Sequence, residues 1–225
     1  MKKFLSEHKH FLWFLYVPIY LIGFFGIEKI ITNEHAFWST VLPIDTYIPF
    51  WEWAVFAYSL WYPFMLFMAI YLAATDKRAF SRYMCYMAIG FTTSLVFCLV
   101  VPNGTSADFR PAIDELGRSN VATWLLENVI WKNDTYTNVM PSIHIVGTFM
   151  VVFGFHDSKL NKNGYVAAAV YFIAVLITAS TVLTKQHTVL DVIGGTVYSI
   201  LLYVIVYVFC RKIADKKYEQ NNTTV

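Results

Sequence analysis

Charge is what this sequence has least of. Asp, Glu, Lys and Arg together make up 14% of its 225 residues, against about a quarter in a soluble domain. Too few charges remain to cover a water-facing surface, which excludes a soluble enzyme and a disordered tail. A net charge of +2 supplies no electrostatic footprint for nucleic acid. Cysteine is scarce too. Cys85, Cys98 and Cys210 are the only three, all inside apolar runs, so they read as packing residues rather than a disulfide framework. No internal repeat is visible.

What the chain has instead is apolar length, with 57% hydrophobic and 18% aromatic residues. A membrane-spanning helix needs about 20 mainly apolar residues. Six runs are candidates, near Phe11–Ile31, Trp53–Ala74, Met84–Val101, Pro141–Phe155, Tyr165–Leu183 and Thr188–Cys210, the fourth of them short. The expected fold is all-α, a six-transmembrane-helix bundle forming one membrane-embedded domain over residues 1–225. The first run follows Lys2, Lys3 and Lys9, but no small-residue cleavage site precedes Glu28 and Lys29, so it reads as a retained span rather than a signal peptide.

Basic residues set the expected orientation. With the N-terminus inside, Lys2, Lys3, Lys9, Lys77, Arg78, Arg82, Lys159, Lys162, Arg211, Lys212, Lys216 and Lys217 fall on the inner side. Lys29, Arg110, Arg118, Lys132 and Lys185 fall outside, a division of 12 to 5 that accounts for all 17. Both termini are therefore expected in the cytoplasm. Trp38, Trp51 and Trp53 suit an outer aromatic belt, and the polar C-terminal tail is expected to fray. Asn103-Gly-Thr and Asn133-Asp-Thr match the glycosylation sequon on that outer side.

Ionisable groups beside or inside the spans are the informative ones. His187 and Asp191 are four apart, which on a helix puts them on one face a turn from each other. A carboxylate against an imidazole fixes its tautomer and makes the other nitrogen a better nucleophile or base. The same pair reads equally as a staple between two helices. Pro141-Ser142 opens the fourth run as an N-terminal cap, whose free N–H groups form a ready anion site, with His144 just inside. Arg110 in the long outer loop carries a fork suited to phosphate. Singly, each has an ordinary reading as cap, lone histidine or solvated arginine. The orientation depends on loop basic residues and not on the two histidines, yet it gathers Arg110, Ser142, His144, His187 and Asp191 at one face. His8, His10 and His156 fall on the other side. His35, Asp45 and Glu52 are outer residues able to line an entrance, while Asp108, Asp114 and Glu115 read as solvated loop charges.

Arg110-Pro111, Pro141-Ser142-x-His144 and His187-x-x-x-Asp191 together resemble the three-part signature of the type 2 phosphatidic acid phosphatase superfamily. The resemblance covers the second half of the chain. It departs at three positions. Asn103 stands where the family has lysine, Ile143 where it has glycine, and Ser180-Thr181 where it has Ser-Arg. This reduced set is similar to the branch containing inositol phosphorylceramide synthases and sphingomyelin synthases. The resemblance implies a metal-independent lipid phosphate phosphatase or phosphotransferase with no cofactor, in a multi-pass plasma-membrane protein whose site faces outward. It implies His187 as nucleophile, Asp191 as its partner, His144 as acid, and Arg110 and Ser142 as phosphoryl-binding groups. Lys185 is the candidate replacement for a lost cation. The expected partner is a lipid phosphate or phospholipid substrate in the bilayer, and oligomeric state is left open. Rival readings are a head-group transferase, a zinc site built from the two histidines and the aspartate, and a transporter or scaffold with a buried His–Asp proton relay.

Overall fold

The computed structural model describes residues 9–31 and 37–211. The expectations for Lys2, Lys3, His8, His35, Lys212, Lys216, Lys217 and the C-terminal tail fall outside these residues. Within them the chain is mostly helical, and five helices are long and apolar enough to cross a membrane. They are α1 (His10–Ile30), α2 (Ala54–Thr75), α3 (Lys77–Val100), α6 (Gly164–Leu183) and α7 (Val189–Cys210). Between α3 and α6 lie α4 (Val121–Leu125), which opens a helical stretch continuing to Asn133, and α5 (Ile143–His156).

The helix ends follow from local chemistry. Asp76 caps α3 by accepting the N–H groups of Arg78 (2.9 Å) and Ala79 (3.0 Å). This is why α3 starts seven residues before the expected Met84. Its polar first turns are held by an ion pair between Arg82 and Asp157 at 2.6 Å. Asn163 caps α6 through Tyr165 and Val166. Helix α2 breaks at Leu60, ahead of Pro63, whose ring nitrogen has no hydrogen to donate.

The fourth expected span forms an apolar helix shorter than the other five. Helix α5 has 14 residues, about 21 Å at 1.5 Å per residue, short of the roughly 30 Å hydrocarbon layer. It needs no such length because it is the centre of the fold, packed against α2, α3, α6 and α7, with Ile145, Val146, Met150, Val151 and Phe155 buried. The outward faces of the long helices stay apolar. Ile22, Phe67, Val175 and Leu201 are all exposed, a surface that water would not tolerate and lipid would.

The loops on the histidine side are organised rather than loose. Strands β1 (Trp38–Ser39) and β2 (Asn103–Gly104) pair in parallel, and Gly104 also bridges Thr137. A 3-10 turn at Pro43–Tyr47 packs beside the α6–α7 turn, where Asp45 is buried.

Candidate functional site

The site forms where three connections meet: the turn into α5, the turn into α7 and the segment after α4. Ser142 is the N-cap of α5, its Oγ facing the Ile145 N–H at 3.5 Å. His144 follows as the second helical residue, with its ring 4.3 Å from Tyr58 and 4.5 Å from Trp61, both on α2. Close approach of α7 to this turn requires Gly195. A Cβ there would lie 2.9 Å from the Ile145 Cβ and 3.2 Å from the Ser142 carbonyl.

The expected helical His187–Asp191 pair is corrected in form and kept in proximity. Helix α7 starts at Val189 with Thr188 as N-cap, so His187 precedes it. A reciprocal capping box ends the helix there. Asp191 Oδ2 accepts the Thr188 N–H (2.8 Å) and Thr188 Oγ1 accepts the Asp191 N–H (3.3 Å). The Asp191 carboxylate still reaches His187 Nδ1 at 3.5 Å, a charge contact longer than a well-formed hydrogen bond. His187 Nε2 points the other way and meets His144 Nδ1 at 3.3 Å. His187 thus touches Asp191 with one nitrogen and His144 with the other, so these three do not converge on one metal-sized point. Among the described residues, no group of three or more His, Cys, Asp and Glu side chains is arranged to hold a metal ion.

Arg110 lies next to this centre but is already engaged. Its Nη2 donates to the carbonyls of Asp134 (3.1 Å) and Thr135 (2.8 Å) and to Gln186 Oε1 (2.8 Å). Its Nε is buried without a partner. Burial pulls the guanidinium pKa below its usual value, while Asp134, Tyr58 and Glu28 nearby pull it back. Lys185 is not brought to the site. Its ammonium donates to the carbonyls of Asp45 (2.9 Å) and Ile48 (2.6 Å) and lies over the Phe109 ring, and burial lowers its pKa against the pull of Asp45.

The two positions that depart from the family's cations are also structural. Asn103 is fully buried. It donates to Val101 O (2.9 Å) and Met140 O (3.0 Å) and accepts from Met140 N (2.7 Å), clamping the strand to the turn before Ser142. That burial also removes Asn103 as a glycan acceptor. Thr181 is buried in α6 and bonds to Thr178 O.

Three residues unmarked by motif complete the site. Tyr58 donates to Asp134 Oδ2 at 2.7 Å and lies 3.4 Å from His144 Nδ1. Glu28 accepts from Asn138 Nδ2 at 2.9 Å and from Thr135 at 2.5 Å. Asp45 and Glu52, expected near an entrance, are buried instead. Asp45 takes the N–H groups of Leu42 and Val189, both at 2.8 Å, and Glu52 pairs with Arg118 at 2.9 Å.

A cavity of ≈ 20 Å³ lies among Glu28, Cys98, Asp134, Asn138, His144 and His187, room for about one water and not for a phosphoryl group. His144 and Asp134 also line an apolar cleft of ≈ 420 Å³ walled by Tyr20, Phe24, Tyr62 and Val129. A larger cleft of ≈ 490 Å³ between α5, α6 and α7 reaches none of these polar residues. No protein-family model, curated protein or solved structure matches the chain.

Proposed function

We propose that the chain is a membrane-embedded lipid phosphatase or phosphotransferase that works through a phosphohistidine, in the manner of the type 2 phosphatidic acid phosphatases. In this reading α5 is a sixth, short membrane helix. Both termini are cytoplasmic, and the site opens to the outer face of the plasma membrane, the orientation favoured by the 12 to 5 division of basic residues.

The observation that carries the reading is the line Asp191–His187–His144. Asp191 faces His187 Nδ1 (3.5 Å) and leaves Nε2 directed at His144 (3.3 Å). A carboxylate only accepts, so it favours the proton on Nδ1 and a bare lone pair on Nε2. That nitrogen attacks phosphorus. The bond to the leaving oxygen breaks as His144, doubly protonated beside the bound phosphate anion, gives that oxygen the proton on Nε2, the nitrogen with no hydrogen-bond partner, and keeps the one on Nδ1, a role worth about 10²- to 10⁴-fold. Arg110 and the N–H groups at the start of α5 stabilise the equatorial oxygens. Water or a second lipid's hydroxyl then takes the phosphoryl group from His187. The histidine nitrogens stand too close for phosphorus to pass between them, so the rings part when substrate enters. The cleft that ends at His144 and Asp134 supports a lipid substrate, since an acyl chain has an apolar path to the chemistry.

Head-group transfer is favoured over monoester hydrolysis by the charges. Asn103, Thr181 and Lys185 are all committed to structural bonds, and Glu28 and Asp134 line the cavity. One arginine among carboxylates suits the single negative charge of a phosphodiester better than a dianion. Purified protein incubated with a panel of lipid monoesters and diesters tests this, reading free phosphate and newly formed lipid together. Diester turnover with transfer to a lipid hydroxyl, lost in His187→Ala, supports the account. Turnover of monoesters alone would reject the transferase reading, and no turnover of either would reject the whole.

A further inference from the structure

Asp191 backs His187, and the structure holds a second carboxylate in the corresponding place behind the other histidine. Tyr58 is fully buried, and its hydroxyl stands between Asp134 Oδ2 at 2.7 Å and His144 Nδ1 at 3.4 Å. The geometry points to Tyr58 and Asp134 as positioning residues that fix the proton and orientation of His144. This inference rests on the phosphohistidine reading for its catalytic consequence, though not for its structural content.

The contacts favour one assignment of hydrogens when both carboxylates are ionised. The Asp191 charge, 3.5 Å from His187 Nδ1, favours the proton on that nitrogen and leaves a lone pair at Nε2. The neighbouring His144 Nδ1, 3.3 Å away, is then the donor and carries hydrogen. Asp134 likewise only accepts, so the Tyr58 hydroxyl points its hydrogen at Asp134 and turns an oxygen lone pair toward His144 Nδ1. His144 Nδ1–H therefore has two acceptors, His187 Nε2 and Tyr58 Oη. When substrate takes His187 Nε2, Tyr58 remains to hold the His144 proton on the same nitrogen and the ring in the same plane.

Asp134 is itself fixed for this task. Arg110 Nη2 and Gln186 Nε2 both donate to its backbone carbonyl, at 3.1 Å and 3.0 Å. Residues far apart in the chain thus meet to aim one carboxylate at one phenol. Packing alone would be served equally by phenylalanine at position 58, whereas the hydroxyl bonded to a carboxylate has no packing purpose.

The test uses full-length protein in detergent with histidine ring nitrogens labelled with ¹⁵N, comparing wild type, Tyr58→Phe and Asp134→Asn. His144 resonances are assigned by their loss in His144→Ala. In the wild type they should show the Nδ1–H tautomer, and Tyr58→Phe should convert them to a tautomer mixture while the fold stays intact. In turnover, Tyr58→Phe should lower kcat about tenfold, the effect of about one net hydrogen bond, with KM within about twofold. Asp134→Asn should reproduce both effects, and Asp134→Glu should restore part of kcat. His144 nitrogen resonances that are the same in wild type and Tyr58→Phe would overturn the assignment. The spectra read independently of turnover, so an inactive wild type with the expected tautomer shift would refute the proposed function and leave this inference standing.

Discussion

Replacing Asn103 with alanine removes three hydrogen bonds to oxygen or nitrogen partners, and a longer one to Cys98 Sγ at 3.9 Å, from a position that has no exposure to solvent. The lost partners are Val101 O, Met140 O and the Met140 N–H, at 2.9, 3.0 and 2.7 Å. Each bond is worth about 1 kcal/mol net, and buried groups left unpaired cost about 1–3 kcal/mol apiece. With partial relaxation of the turn, the expected destabilisation is about 3–5 kcal/mol, or roughly 6–20 °C in the melting midpoint at this chain length. Because Met140 leads directly into the Ser142 cap and His144, activity should fall with stability. Asn103→Lys restores the cation of the resembled family, yet it should do worse, since it puts an ammonium where an amide was saturated. Differential scanning fluorimetry in detergent at a fixed scan rate, with turnover measured alongside, reads both. An Asn103→Lys variant with an unchanged midpoint and raised activity would refute the clamp and restore position 103 to substrate binding.

Three other outcomes follow from the same contacts. Gly147→Ala puts a Cβ 2.7 Å from Trp61 and Met65; it should cost about 1–3 kcal/mol and, by shifting Trp61 off His144, alter tryptophan fluorescence and lower kcat, and unchanged fluorescence would contradict this. Lys185→Met removes donation to Asp45 O and Ile48 O and should lower the melting midpoint while KM per folded molecule holds; a large KM rise at unchanged stability would return Lys185 to the substrate. Gln186→Leu frees Arg110 Nη2 and the Asp134 carbonyl of their shared brace and should lower kcat/KM by about tenfold, as for one charge-assisted hydrogen bond, measured on the preferred diester.

The apolar helices were legible because composition alone forces them. Hydropathy reports lipid exposure and central burial alike, so the apolar fourth run gave no sign that α5 would be the short, enclosed helix at the centre of the fold. His187 and Asp191 were legible from spacing, but the helix face expected to carry both does not exist, because His187 precedes α7. Thr188 three residues before Asp191 is a capping-box signal that starts α7 after His187. Tyr58 was hidden among the aromatics of an apolar run, and Asp134 read as part of a sequon. Their meeting depends on how the segment after α4 folds onto α2, which no local pattern encodes. Lys185 misled because charge near a motif looks functional. The chain turns at this residue through a left-handed conformation (φ 55°), and its side chain serves the loop at Asp45.

In the proposed mechanism His187 becomes covalently phosphorylated. Protein mixed with a lipid phosphodiester radiolabelled at phosphorus, quenched in base within milliseconds to seconds, tests it directly. A phosphohistidine intermediate should give a base-stable, acid-labile label that maps to His187, is absent from His187→Ala, and forms in the presence of excess chelator. Normal product formation with no trapped label, or a label that survives His187→Ala, would contradict it.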